Sequence, residues 1–145
     1  KLEIAVCAII DGDKKEIKET EEYTTTVANA KKFELENRIK VFSGNETLEI
    51  DLFPDENTNN DILKTCFDNL GHSQSYNNLI TAVTKNSDSW KSELIKRIDG
   101  TIKKGRFAQE LSLLIDNNFV LPRYLKDAIE FILRCNTIKI DGQLK

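Results

Sequence analysis

The chain has 145 residues, 39% hydrophobic and 31% charged, with 21 basic and 24 acidic side chains and a formal net charge of -3. This length can bury a core without staples, and the composition excludes a disordered or collagen-like chain. The acidic balance excludes nucleic-acid binding by bulk positive charge, so any such binding needs a local patch or metal ions.

The first element is Leu2 to Ile10. From Ile4 it is continuously apolar and rich in β-branched residues, the pattern of a strand buried on both faces in a helix-covered parallel sheet. It stops at Asp11-Gly12-Asp13, and a charged run to Glu22 reads as an exposed loop. Val27 to Leu35 reads as a helix, Arg38 to Phe42 as a second strand, and Ser43-Gly44-Asn45 as a turn. Strand, helix, strand is the plan of an α/β domain.

The pattern then turns helical. Asn45 or Thr47 is placed to cap a short helix that carries Glu46 and Glu49 one turn apart. Ile62, Leu63, Cys66, Phe67 and Leu70 share one helical face, with Asn59 or Asn60 as N-cap. Further stripes are Leu79, Ile80 and Val83; then Leu94, Ile95, Ile98 and Ile102; then Phe107, Leu111, Leu114 and Ile115. Leu125, Ile129, Ile132 and Leu133 make the last, which opens at Pro122. Thr137 to Ile140 alternates weakly, as a short strand or extended end would. The expected fold is α/β, a parallel-sheet portion over residues 1–54 followed by a mostly helical half over 55–145.

Cys7, Cys66 and Cys135 are odd in number, widely spaced and set among apolar residues. Buried packing in a reducing, cytoplasmic setting is the expectation, rather than disulfides or zinc. No run of about 18 apolar residues marks a membrane span, and Lys1 to Ile10 is too short and too charged at its start for a signal peptide.

Several residues are equipped for chemistry. Asp11 and Asp13 lie at the C-terminal end of a strand, where open α/β sheets bind ligands, and could share one hard cation across Gly12. On the motif alone, a simple strand-ending turn is the favoured reading. Glu49 could add a third carboxylate, or merely complement a helix dipole. Lys103, Lys104 and Arg106 concentrate three cations at a helix start, either a phosphate site or a solvated basic turn. His72 is the only histidine and reads as part of a helix-end turn, which disfavours Ser-His-Asp or Cys-His catalysis. Trp90 reads as a helix anchor. No phosphate-binding loop of the G-x-x-x-x-G-K or G-x-G-x-x-G type is present. A D-x-D phosphatase of the haloacid-dehalogenase type is disfavoured by Lys15, where Thr or Val would stand.

The order of these pieces says more than any one of them. Ala8-Ile9-Ile10-Asp11-Gly12-Asp13, then Thr47-Leu48-Glu49-Ile50-Asp51-Leu52, then Lys104-Gly105-Arg106-Phe107-Ala108-Gln109, then Leu121-Pro122-Arg123-Tyr124-Leu125-Lys126-Asp127-Ala128-Ile129 resembles the Toprim nuclease region of OLD-family (overcoming lysogenization defect) ATP-dependent endonucleases. The resemblance implies a Rossmann-like Toprim domain that cuts or nicks DNA with Mg²⁺ or Mn²⁺. It matches Asp11 and Asp13 to the metal-binding D-x-D, Glu49 to a further acidic position that serves metal and catalysis, and Lys104 to the lysine near the scissile phosphate. Lys103 and Arg106 beside it are assigned to DNA contact. The implied partners are DNA, an N-terminal ABC-type ATPase domain and, for an oligomer, a second copy of the chain; a role in phage defence goes with the family.

In Toprim domains a catalytic glutamate follows an earlier strand, before the D-x-D. This chain starts at the D-x-D strand, so it is expected to be the C-terminal part of such a nuclease, truncated within the domain. The alternative expectation is a non-catalytic helical module that docks on a partner or on its own ATPase.

Overall fold

The computed structural model describes residues 6–12, 28–32, 34 and 39–142, with side chains described as far as Cys135. The charged run after Asp11, with Asp13, lies outside the described residues, as do Val27, Phe33, Leu35 and Arg38.

The described chain is mixed α/β and mostly helical. Strand β1 (Cys7–Ile10) pairs in parallel with β2 (Lys40–Ser43), in the register Cys7 to Lys40 and Ile10 to Ser43. The described residues 28–32 and 34 between them are helical (α1), which gives the expected strand, helix, strand order. There follow α2 (Leu48–Leu52), α3 (Asn60–Asn69), α4 (Ser73–Lys85), a 3₁₀ turn at Ser87–Ser89, α5 (Trp90–Arg97), a π turn at Ile98–Ile102, α6 (Lys104–Leu114) and α7 (Arg123–Gly142).

The chain forms two compact units. One comprises residues 1–48 and 121–145, the other residues 49–120. The helical half expected from residue 55 onward is therefore shared between them, because α7 belongs with the strands.

In the first unit, α7 packs on both strands, and Phe42 meets Phe131 with ring centroids 5.9 Å apart. The expectation of a strand buried on both faces is corrected here. Ile9 remains 49% exposed, because the described sheet has two strands and α7 as its described helical cover. A second correction falls at the tail. Thr137 to Ile140 is helical, not extended. Extending an existing helix adds a hydrogen bond per residue at low entropic cost, whereas a new strand needs a partner edge. Pro122 sits just before α7, where its carbonyl accepts from the amides of Leu125 and Lys126.

The second unit carries the main core. Phe53, Leu63, Cys66, Phe67, Leu79, Leu94 and Ile98 are completely buried. The aromatic rings interlock edge to face: Phe53 with Phe107 at 6.0 Å, Phe53 with Phe119 at 6.1 Å, and Phe67 with Phe107 at 6.3 Å. Such pairs contribute about 0.5–1.5 kcal/mol each beyond area burial. Trp90 anchors α5 as expected, donating its indole N–H to the Phe53 carbonyl at 2.8 Å.

Helix ends in this unit have identifiable devices. After α3, Gly71 (φ 77°) takes the left-handed conformation, its amide donates to Asp68, and the His72 amide donates to Phe67. That is a Schellman stop, so His72 serves the turn that the sequence suggested. At the start of α3, Asn59 stands in the cap position but does not cap. Its side chain instead donates to the carbonyls of Leu52 and Val120 and accepts from the Val120 amide. A left-handed φ of 59° suits Asn better than most residues. In the first unit, the buried hydroxyl oxygen of Thr47 has no hydrogen-bond partner among the described residues, so Thr47 does not cap α2.

The cysteine expectation holds only for Cys66. Cys7 and Cys135 are partly exposed, and all three are free thiols. Among the described residues no helix is long and apolar enough to cross a membrane.

Candidate functional site

Asp11 belongs to the first unit; Glu49, Lys103, Lys104 and Arg106 belong to the second.

In the first unit, β1 delivers Asp11 to an exposed position directly after Ile10. The loop is tied to the chain that follows β2. The Gly44 amide donates to the Ile10 carbonyl at 3.0 Å, and the Gly12 amide donates to the Glu46 carbonyl at 2.9 Å. Gly12 is buried. A Cβ there would press into the Gly44 carbonyl oxygen and sit 2.5 Å from the Asn45 carbonyl carbon. The glycine between the two aspartates is thus required by close backbone approach.

In the second unit, Lys104 Nζ lies 3.4 Å from Glu49 Oε2 and 3.9 Å from Asp99 Oδ1. Glu49 and Lys104 are 55 positions apart in sequence. The core beneath explains their meeting. Phe53 follows Glu49 by one helical turn, and its amide donates to the Glu49 carbonyl. Phe107 follows Lys104 by nearly one turn on α6. Residues at these spacings share a helix face, so the contact between Phe53 and Phe107 sets the polar pair above it. The Glu49 side chain is only 15% exposed and Lys104 is 47% exposed. The pair therefore lies at the rim of the core rather than free in solvent.

The approach to α6 is unusual. The Lys103 amide donates to the Ile98 carbonyl at 2.6 Å, an i→i+5 bond that closes the π turn. Lys103 then takes φ 79°, a costly conformation for a residue with a Cβ. Its ammonium bonds the Asp99 carbonyl at 3.0 Å. Arg106 is exposed on the first turn of α6. Asp99 was not legible as a partner of Lys104. The available signal was Gly100, which interrupts the helical stripe between Ile98 and Ile102.

Of the three expected metal ligands, Asp11 and Glu49 are described and Asp13 is not. Among the described residues, no group of three or more His, Cys, Asp or Glu side chains is placed to hold a metal ion. Asp11 and Glu49 have the hard oxygen chemistry that Mg²⁺ or Mn²⁺ takes, but the described residues do not assemble a ligand set.

No family model, curated protein or solved structure matches this chain.

Proposed function

We propose that this chain is the C-terminal part of a Toprim-type, metal-dependent DNA endonuclease of the OLD family, acting on phosphodiester bonds together with an ATPase domain. The observation that carries the reading is the pairing of Glu49 with Lys104 at 3.4 Å. These two residues come from separate sequence motifs, and a shared site is what the resemblance requires of them. The parallel pairing of β1 and β2, with Asp11 at the C-terminal end of β1, also favours it. That is the edge where α/β sheets bind ligands.

Mg²⁺ or Mn²⁺, when bound, would supply a Lewis acid and an activated water for in-line displacement. The part taken by this chain's own residues is electrostatic. Lys104 offsets negative charge on the phosphate as it is attacked, and Glu49 holds the lysine in place. Lys103 and Arg106 sit on the same exposed approach and would bind the DNA backbone.

Calorimetric titration with Mn²⁺ tests the metal assignment. The wild-type chain should bind, and Asp11→Ala and Asp13→Ala should each weaken binding. Identical isotherms for all three would remove the metal site from the proposal.

A second reading, a helical docking module, is favoured by one observation. Ile129 and Leu133, one turn apart on α7, are 49% and 60% exposed.

A further inference from the structure

We infer that Glu49 and Asp99 mask Lys104, so that the polyanion-binding surface at the start of α6 is self-inhibited in the free chain. The inference rests on the proposal that this site meets nucleic-acid phosphates, and it adds how that site is held off.

The charge arithmetic is local. Two carboxylates, Glu49 and Asp99, stand against one ammonium, at 3.4 Å and 3.9 Å. These two acids offset the positive charge that Lys104 would otherwise present to a phosphate, while Lys103 and Arg106 keep the surrounding surface basic. Because Glu49 is the more enclosed of the two acids, at 15% exposure against 48% for Asp99, its charge needs a nearby counter-ion more.

The chain path into α6 decides which lysine is masked. In a regular α-helix, Asp99 would pair with Lys103, four residues on. Here the π turn at Ile98–Ile102 ends in a left-handed break at Lys103 (φ 79°), and beyond that break Lys104 Nζ lies 3.9 Å from Asp99 Oδ1. The Lys103 ammonium instead bonds the Asp99 backbone carbonyl. The geometry therefore gives the two adjacent lysines different tasks: Lys103 remains a charged exposed donor, and Lys104 is held in reserve.

Neutralising either acid should expose Lys104. The test is fluorescence anisotropy with a short labelled DNA duplex, in EDTA at low salt and then along a salt series. Glu49→Gln and Asp99→Asn are each expected to tighten binding roughly 2- to 5-fold, the scale of one exposed ion pair. Each should also steepen the dependence of log K on log salt by about one, as one more phosphate contact does. Glu56→Gln removes the same charge from a residue that makes no ion pair with Lys104 among the described residues, and it should leave the salt slope unchanged. Lys104→Met placed on Glu49→Gln should abolish the gain. A merely structural role for the acids would not move the salt slope.

Equal responses from Glu49→Gln, Asp99→Asn and Glu56→Gln, or a gain that survives Lys104→Met, would overturn the mask while leaving the polyanion site standing. Absence of DNA binding in every variant would overturn both. Thermal unfolding of each variant checks folding, and Asp99→Asn, at an exposed position, keeps the test intact if Glu49→Gln destabilises the chain.

Discussion

Phe53 and Phe107 pack edge to face, ring centroids 6.0 Å apart, one helical turn inside the Glu49–Lys104 pair. The candidate site is therefore built on the most buried part of its unit. Phe107→Leu should cost roughly 1–3 kcal/mol, less than the ~3–5 kcal/mol of truncation to Ala. Urea unfolding measures the cost. The same variant should also loosen Lys104, seen as a loss of coupling between Glu49 and Lys104 in a double-mutant cycle.

Gly12 and Gly105 should respond in opposite directions to alanine. Gly12→Ala forces its Cβ into the backbone of Gly44 and Asn45. Overpacking of this kind costs about 1–3 kcal/mol. Among the described residues nothing lies within 4 Å of a Cβ on Gly105, which sits in the first turn of α6. Gly105→Ala should therefore be neutral or stabilising by up to ~1 kcal/mol. Denaturant melts of the two variants provide the comparison.

Asn59 ties the chain after α2 to the end of the second unit. Asn59→Gly keeps the left-handed backbone but loses three hydrogen bonds, to Leu52 and twice to Val120. At about 0.5–1.5 kcal/mol each, the loss should be measurable in chemical unfolding. Asn59→Ala should be worse by roughly 1–2 kcal/mol, because Ala also resists a positive φ. Equal stability of the two variants would contradict this.

Burial pushes the Cys66 thiol up from its ordinary 9.0 to about 12, with a smaller push from Glu110. The folded chain then holds a proton that the unfolded chain releases. Its contribution is complete below pH 9 and is lost as pH rises toward 12. Stability should decline across that window, and less so in Cys66→Ala. At the acid end the sign reverses. Backbone amides of Thr58 and Asn57 hold the Asp55 carboxyl below its ordinary 3.8, so its contribution is present above that value and fades as pH falls below it. Unfolding free energies across both ranges, for the wild type, Cys66→Ala and Asp55→Asn, test the two signs.

The helical stripes were legible because packing decides them. Leu63, Cys66 and Phe67 on α3, Leu79 and Val83 on α4, and Phe107 and Leu111 on α6 are buried at helical spacing, whereas Ile129 and Leu133 of the last stripe stay 49% and 60% exposed. The parallel strand pair was legible from two apolar runs with a polar connection. Local chemistry was less so. Asn59 carries a cap residue's identity, but a tertiary partner, Val120, competes for its side chain. Thr137 to Ile140 alternates like a strand, but the helix already running through Leu133 continues through it. Within the site, Glu49 and Lys104 were named from separate motifs, and the ring contact that brings them together could not be read from either. Asp99 was missed because the chain leaves helical geometry at Lys103, so helical spacing does not say what Lys104 meets.

The most direct test of the central claim is nicking of supercoiled plasmid in Mn²⁺. The assay uses the whole natural protein. The account predicts relaxed circles with the wild-type sequence and a loss of about 10²-fold or more in rate with Lys104→Ala, the scale for removing an electrostatic stabiliser of the transition state. Nicking at an undiminished rate by Lys104→Ala, or none by the wild-type sequence, would contradict it.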